Sequence, residues 1–184
     1  MLQKYLITSR EFYTDTPAVF RCILHEQFVK HLPSYALYRD KSNPNYHIQA
    51  QHFLEVCAQF EDIKAFIHSD VQLAFKLHAH GVHLTSTQFD EISKAKELGL
   101  KVIISTHKKE EVLKAQTLGA DYVTYSPIFS TPNKGEPKGI EDLKEVLNLT
   151  DIKIFALGGI VEDTQIKSIA KTDSFGFASI RYFY

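Results

Sequence analysis

The strongest constraint on this chain is a strict alternation along its length. Short apolar, β-rich runs fall at residues 5–8 (YLIT), 35–38 (YALY), 63–67, 81–84 (GVHL), 100–104 (LKVII), 120–125, 152–157 (IKIFAL) and 175–178. Between them lie stretches with apolar residues at helical spacing, such as Val19, Phe20, Ile23, Leu24 and Phe28, or Ile48, Phe53, Val56 and Phe60. Some boundaries carry their own punctuation. Asp15 or Thr16, followed by Pro17, opens the first helix, while Gly99 and Gly119 close two others. Eight strands separated by seven helices imply parallel strands joined by right-handed crossovers. A closed α/β barrel of the TIM type, (β/α)8, fits the count; a doubly wound open sheet is its rival. No GxGxxG follows the first strand, which weakens the dinucleotide-binding version of that rival.

The 184 residues make one barrel domain, 1–184, which is short for this architecture, since about 200 residues is its usual lower limit. The last helix is missing after Ser179. The wall between strands 8 and 1 is therefore expected to be thinly covered, and a homo-oligomer formed through that patch is one consequence. Apolar residues make up 44% of the chain and the formal net charge is −1. That is an ordinary globular composition, with no global field to recruit nucleic acid or an anionic membrane. Cys22 and Cys57 are far apart and form no CxxC, so reduced thiols are expected rather than a disulfide or zinc site. The N-terminus is too short and polar for a signal peptide, and no run reaches the roughly 18 apolar residues of a membrane span. A cytoplasmic protein is the expectation.

In a barrel of this kind the chemistry sits at the C-terminal ends of the strands. Those ends supply Arg39, Asp40 and Lys41 after strand 2, and His68, Ser69 and Asp70 after strand 3. Strand 4 offers Thr85 to Gln88, and strand 5 offers Ser105 and His107. Strand 6 runs into a loop broken by Pro127, Pro132, Gly135 and Pro137, with Ser126, Thr131, Asn133 and Lys134 between the breaks. Gly158 and Gly159 follow strand 7, and Ser179 follows strand 8. Arg39, Lys41 and Lys134 would converge as three cations among hydroxyls, a combination suited to phosphate or diphosphate. The two glycines would let backbone N–H groups approach an anion; the alternative is a tight turn before the next helix. His107 reads either as a general acid/base or as a surface residue opening a helix. His83, between Val82 and Leu84, points into the barrel or toward the helices. His78 and His80 read as solvated residues.

Taken together, the R-x-K of Arg39 and Lys41, GVHL, the S-x-H of Ser105 and His107, ADYV with PIFSTPNK, ALGGI and a last strand ending in serine resemble the thiamine-phosphate synthase/TenI family. The resemblance runs from about Tyr5 to Arg181. It implies a (β/α)8 barrel that binds small phosphorylated thiazole or pyrimidine ligands. The synthase joins a pyrimidine diphosphate to a thiazole phosphate with Mg²⁺. TenI-like members bind the thiazole phosphate, and some tautomerise a thiazole carboxylate phosphate without metal. By that resemblance Arg39, Lys41, Thr131 and Lys134 meet the diphosphate, and Gly158, Gly159 and Ser179 cradle the thiazole phosphate. Ser105 lies beside them, and His107 moves a proton.

Two departures separate the chain from the synthase pattern. The aspartates that hold Mg²⁺ there align with Ser69 and Gln88, His68 stands where the pattern has asparagine, and Asp70 falls one position late. Mg²⁺ usually takes one or two carboxylates. The leading expectation is a TenI-like isomerase with His107 as its proton carrier and no cofactor. The alternatives are a divergent synthase, a transferase using Mg²⁺ with Asp70 in a metal role, and a non-catalytic sensor of phosphorylated ligands.

Overall fold

Eight parallel strands close on themselves in sequence order in the computed structural model, which describes residues 2–184. The strands are β1 (Gln3–Ile7), β2 (Tyr35–Tyr38), β3 (Lys64–His68), β4 (Gly81–Leu84), β5 (Lys101–Thr106), β6 (Tyr122–Tyr125), β7 (Lys153–Leu157) and β8 (Gly176–Ser179). Closure is made by β1 against β8, with Tyr5 opposite Ala178 and Leu6 opposite Ser179. The open-sheet rival is thereby excluded.

The strands are apolar on both faces because each face meets a different core. Tyr5, Ile7, Tyr35, Leu37, Phe66, Ile103, Tyr122 and Phe155 point inward and fill the barrel. Their neighbours Leu6, Ala36, Ile67, Val82, Ile104, Val123 and Ile154 point outward onto the helices. The inward set is aromatic: Tyr5 and Tyr35 both meet Phe155 with centroids 5.1 and 5.0 Å apart. This packing floors the barrel beneath its C-terminal mouth. His83 belongs to the inward set and is buried.

The helices are α1 (Arg10–Tyr13), α2 (Pro17–His31), α3 (Tyr46–Cys57), α4 (Val71–Lys76), α5 (Glu91–Glu97), α6 (Lys109–Thr117), α7 (Gly139–Leu147) and α8 (Asp163–Ile169). The one-turn α1 has no apolar repeat to betray it, and the sequence reading passes over it. Two helices are shorter than their periodicity implies. α4 stops at Lys76 although Leu77 and Ala79 continue its apolar spacing, and α5, whose apolar spacing reaches back to Phe89, begins at Glu91.

Behind β8 the chain makes a single 3-10 turn, Arg181–Phe183. The expectation of a thin wall there is overturned. Phe183 is fully buried, stacked on Phe177 at 5.6 Å and 8°, and meets His31 edge-on. Tyr184 packs on Phe12 at 4.6 Å. Aromatic side chains of the last turn and α1 cover the outer faces of β8 and β1. No described helix is long and apolar enough to cross a membrane.

Candidate functional site

A cavity of about 330 Å³ opens at the C-terminal end of the barrel. Seven of the residues expected to bind the ligand or move its proton line it: Arg39, Lys41, Ser105, His107, Thr131, Lys134 and Gly158. A second lobe of about 380 Å³ shares Thr131, Leu157, Gly158 and Ile180 with the first and adds Gly159, Ile160 and Ser179. Strand ends from opposite sides of the barrel thus meet in one mouth.

The first lobe is rimmed by cations. The Arg39 charge, burial and the Lys134 charge, in that order, lower the Lys41 ammonium below its ordinary pKa. Burial likewise lowers Arg39. These groups are close enough to repel one another, and an anion between them would relieve the repulsion. Among the described residues, no Asp or Glu lines this lobe. Asp40, adjacent in sequence, is turned away and accepts from the Ser42 N–H at 3.1 Å. Arg39 itself is placed from β1: its N–H donates to Thr8 Oγ1 at 2.9 Å.

The second lobe offers backbone donors. Among the described residues, no group accepts from the N–H of Gly158, Gly159, Ile160 or Ile180. Gly158 and Gly159 have φ of +102° and +68°, which glycine adopts readily. Both also lie under the β6–α7 loop. A Cβ on Gly159 would sit 2.5 Å from the Ser130 carbonyl oxygen. The loop is tied down by Ile128 N–H to Leu157 O at 2.9 Å and Phe129 N–H to Gly158 O at 3.0 Å. The glycines therefore seat the loop as well as open the donors. Ser179 is buried and engaged within the fold: its hydroxyl donates to Ile160 O at 2.7 Å and accepts from Tyr182 N–H at 3.2 Å.

Histidines line the wall. His107 is anchored by Nδ1, 3.2 Å from both the carbonyl and hydroxyl oxygens of Ser126. Its Nε2 has no partner among the described residues. His83 is hydrogen-bonded at both nitrogens, to Tyr5 Oη at 2.8 Å and Ser105 Oγ at 3.0 Å. Burial lowers its pKa well below the usual value. His68 is held near pKa 4, by burial first and then by Arg39 and Lys41. Its buried Nδ1 has no hydrogen-bond partner. His68 is among the groups expected at the strand 3 end, but without an assigned role, and Tyr5 is not among the expected site residues. The inward phase of β1, read from Tyr5 and Ile7, was the signal available for Tyr5.

The ends of β3 and β4 are closed by hydrogen bonds. Asp70 caps α4, its Oδ1 accepting from Leu73 N–H at 2.8 Å. Gln88 bridges the two loops: Nε2 donates to Ser69 O at 3.0 Å, and Oε1 accepts from Thr85 N–H at 3.0 Å. Tyr46 Oη joins β2 to β3, donating to Tyr38 O and accepting from His68 N–H. Among the described residues there is no cluster of three His, Cys, Asp or Glu side chains placed to hold a metal. At the positions where the resemblance places the Mg²⁺ ligands, a serine and an engaged glutamine offer no carboxylate.

The closed barrel, the cationic rim and the free backbone donors define a (β/α)8 barrel whose mouth carries Arg39, Lys41 and Lys134 beside unpaired backbone N–H groups. Its sequence relationships narrow the class. Residues 5–183 match the family model described as thiamine monophosphate synthase, and the chain belongs to that family. It is 31% identical over 167 residues to the thiamine-phosphate synthase of Persephonella marina, covering 88% of this chain and 78% of that protein. Its counterpart in Fusobacterium nucleatum is 33% identical over 163 residues, with 85% and 77% covered. The solved thiamine phosphate pyrophosphorylase from Pyrococcus furiosus superposes with a TM-score of 0.83 at 25% identity, over 97% of this chain and 85% of that one.

Proposed function

We propose that the chain is a TenI-like, metal-independent tautomerase acting on a thiazole carboxylate phosphate. The observation that carries this reading is the state of the β3 and β4 ends. The carboxylate left there, Asp70, caps a helix, and the Gln88 amide is engaged at both ends. A diphosphate leaving group would meet only Arg39, Lys41 and Lys134.

The residues at the mouth suit the isomerisation. The Gly158–Ile160 and Ile180 N–H groups donate to the ligand's phosphate in the second lobe. Arg39, Lys41 and Lys134 offset the carboxylate in the first. The His107 Nδ1–H donates to the Ser126 carbonyl, which leaves Nε2 as the basic nitrogen on the cavity wall. Nε2 takes one proton from the ligand and the imidazolium returns it at a second atom. The net change is a proton moved within one molecule, so neither an oxidant nor a second substrate is needed.

The test is incubation with the thiazole carboxylate phosphate in EDTA, followed by its ultraviolet spectrum. Tautomerisation is expected, with a loss of about 100-fold or more in His107→Ala. Full turnover in that variant would sink the role of His107. The names of the relatives favour a second reading, that of a synthase. Incubation with the pyrimidine diphosphate, thiazole phosphate and Mg²⁺ tests it, and formation of thiamine phosphate would replace the tautomerase reading. Tight binding with no turnover in either assay would favour a sensor.

A further inference from the structure

Beneath the mouth, a chain of three polar groups runs up through an otherwise apolar barrel. Tyr5 is wholly buried, with Tyr35, Phe66 and Phe155 packed around its ring. Its hydroxyl has one hydrogen-bond partner among the described residues, His83 Nδ1 at 2.8 Å. On the other side of that ring, Nε2 lies 3.0 Å from Ser105 Oγ. Ser105 stands on the cavity wall. A neutral imidazole donates from one nitrogen and accepts at the other, so this chain has two alternative directions.

The surroundings select one. If His83 carried its proton on Nδ1, it would donate to Tyr5, and the phenolic proton would be left in an aromatic core without an acceptor. An unmade hydrogen bond at a buried donor costs about 1–3 kcal/mol. The reverse arrangement satisfies every group below the mouth. The Tyr5 O–H donates to Nδ1, and the Nε2–H donates to Ser105 Oγ. Burial holds the tyrosine protonated and the imidazole neutral, so neither end reverses near neutral pH.

We infer that Tyr5 and His83 are positioning residues that fix Ser105 as a one-way hydrogen-bond donor into the cavity. With its oxygen accepting from below and no other partner for its hydroxyl among the described residues, Ser105 is left to direct its proton to the mouth. The group it recognises is an unprotonated acceptor on the ligand's ring or ring substituent, a heteroaromatic nitrogen or a carboxylate oxygen. The phosphate is bound elsewhere, by the backbone donors of the second lobe. A ligand offering an N–H or O–H at this point would face a donor and be rejected. The inference about direction stands on the unliganded chain. The inference about ligand chemistry rests on the tautomerase reading.

The direction is read by long-range proton–nitrogen correlation on histidine-labelled protein. The expected pattern for His83 is Nε2 protonated and Nδ1 bare, unchanged between about pH 6 and 8. In Tyr5→Phe the Nδ1 loses its donor, and its nitrogen shift moves. Protonation on Nδ1, or an imidazolium in that range, overturns the proposal whatever the protein binds. The ligand arm uses calorimetry with the thiazole carboxylate phosphate and with inorganic phosphate. Ser105→Ala and Tyr5→Phe should each weaken the thiazole about fivefold, the size of one ordinary hydrogen bond, and leave inorganic phosphate unchanged. Ser105→Ala keeps the Tyr5–His83 pair and guards against a folding defect. Equal weakening of both ligands, or none of either, overturns the recognition role. If no thiazole phosphate binds while His83 shows the expected protonation, the functional reading falls and the fixed direction of the chain stands.

Discussion

Gly159 bears two constraints at once, and they can be separated. Its φ of +68° is shared by Gly135, but the space around the two differs. Nothing lies within 4 Å of a Cβ at Gly135, whereas at Gly159 the backbone of Phe129 and Ser130 is 2.5–2.7 Å away. Gly135→Ala should cost about 1 kcal/mol, the left-handed conformation alone. Gly159→Ala should cost about 3 kcal/mol or more, because the β6–α7 loop must also lift. Urea melts of the two variants check the difference. Equal costs would mean that the loop does not rest on the glycine. His68 gives a pH signature at the same scale. Its folded pKa of about 4 lies below the ordinary 6.5. As pH falls from 6.5 to about 4 the unfolded chain takes the proton and the folded one does not, so stability is intact above this window and lost through it. The loss is at most about 3 kcal/mol. In His68→Gln the fall between pH 7 and 4.5 should be shallower, with His83, shifted the same way, retaining part of the slope. An unchanged slope would reject the assignment.

Between elements, the legible part of the sequence was what recurs. The strands could be placed because each faces two apolar cores, and runs such as YALY and IKIFAL announce that on their own. Helix ends were less legible. Asp70 opens α4 as a cap, but Leu77 and Ala79, which extend the apolar pattern, lie in the turn beyond Lys76. α1 was invisible because four residues carry no period. At the mouth, single residues such as Arg39 and His107 could be placed by counting from strand ends. The Gln88 brace could not, since its partners are main-chain atoms of Ser69 and Thr85 whose positions depend on two loops at once. That brace makes a prediction about elements rather than side chains. Gln88→Ala should remove about 1–2 kcal/mol and unfasten the β3 and β4 ends from each other. Faster hydrogen exchange at the Thr85 amide, with the β4 amides unchanged, is the expected outcome. Unaltered protection at Thr85 would show that the loops hold without Gln88.

At the scale of the whole molecule, the outer wall and the site are one problem. Counting helices alone leaves the outer faces of β8 and β1 bare, because among the described residues only a 3-10 turn follows β8. The gap is filled from within: Phe183 lies flat on Phe177, His31 meets it from α2, and Tyr184 reaches Phe12 of α1. Periodicity could not reveal this, because three consecutive aromatic residues in one turn read as neither strand nor helix. The same turn reaches the site. Tyr182 N–H donates to Ser179 Oγ, which donates to Ile160 O, beside the free N–H groups of the second lobe. Packing on the outside of β8 therefore connects to the backbone donors proposed to bind the phosphate. Phe183→Ala empties a fully buried aromatic position and should cost about 3–5 kcal/mol. It should also weaken inorganic phosphate binding several-fold under conditions where the variant remains folded, through the slackened Tyr182–Ser179–Ile160 link. Tyr184→Ala, at a residue 54% exposed, should change both by little. Denaturant melts and phosphate calorimetry on the two variants separate the effects. A destabilised Phe183→Ala that binds phosphate as the parent does would confine the aromatic cover to holding the barrel closed.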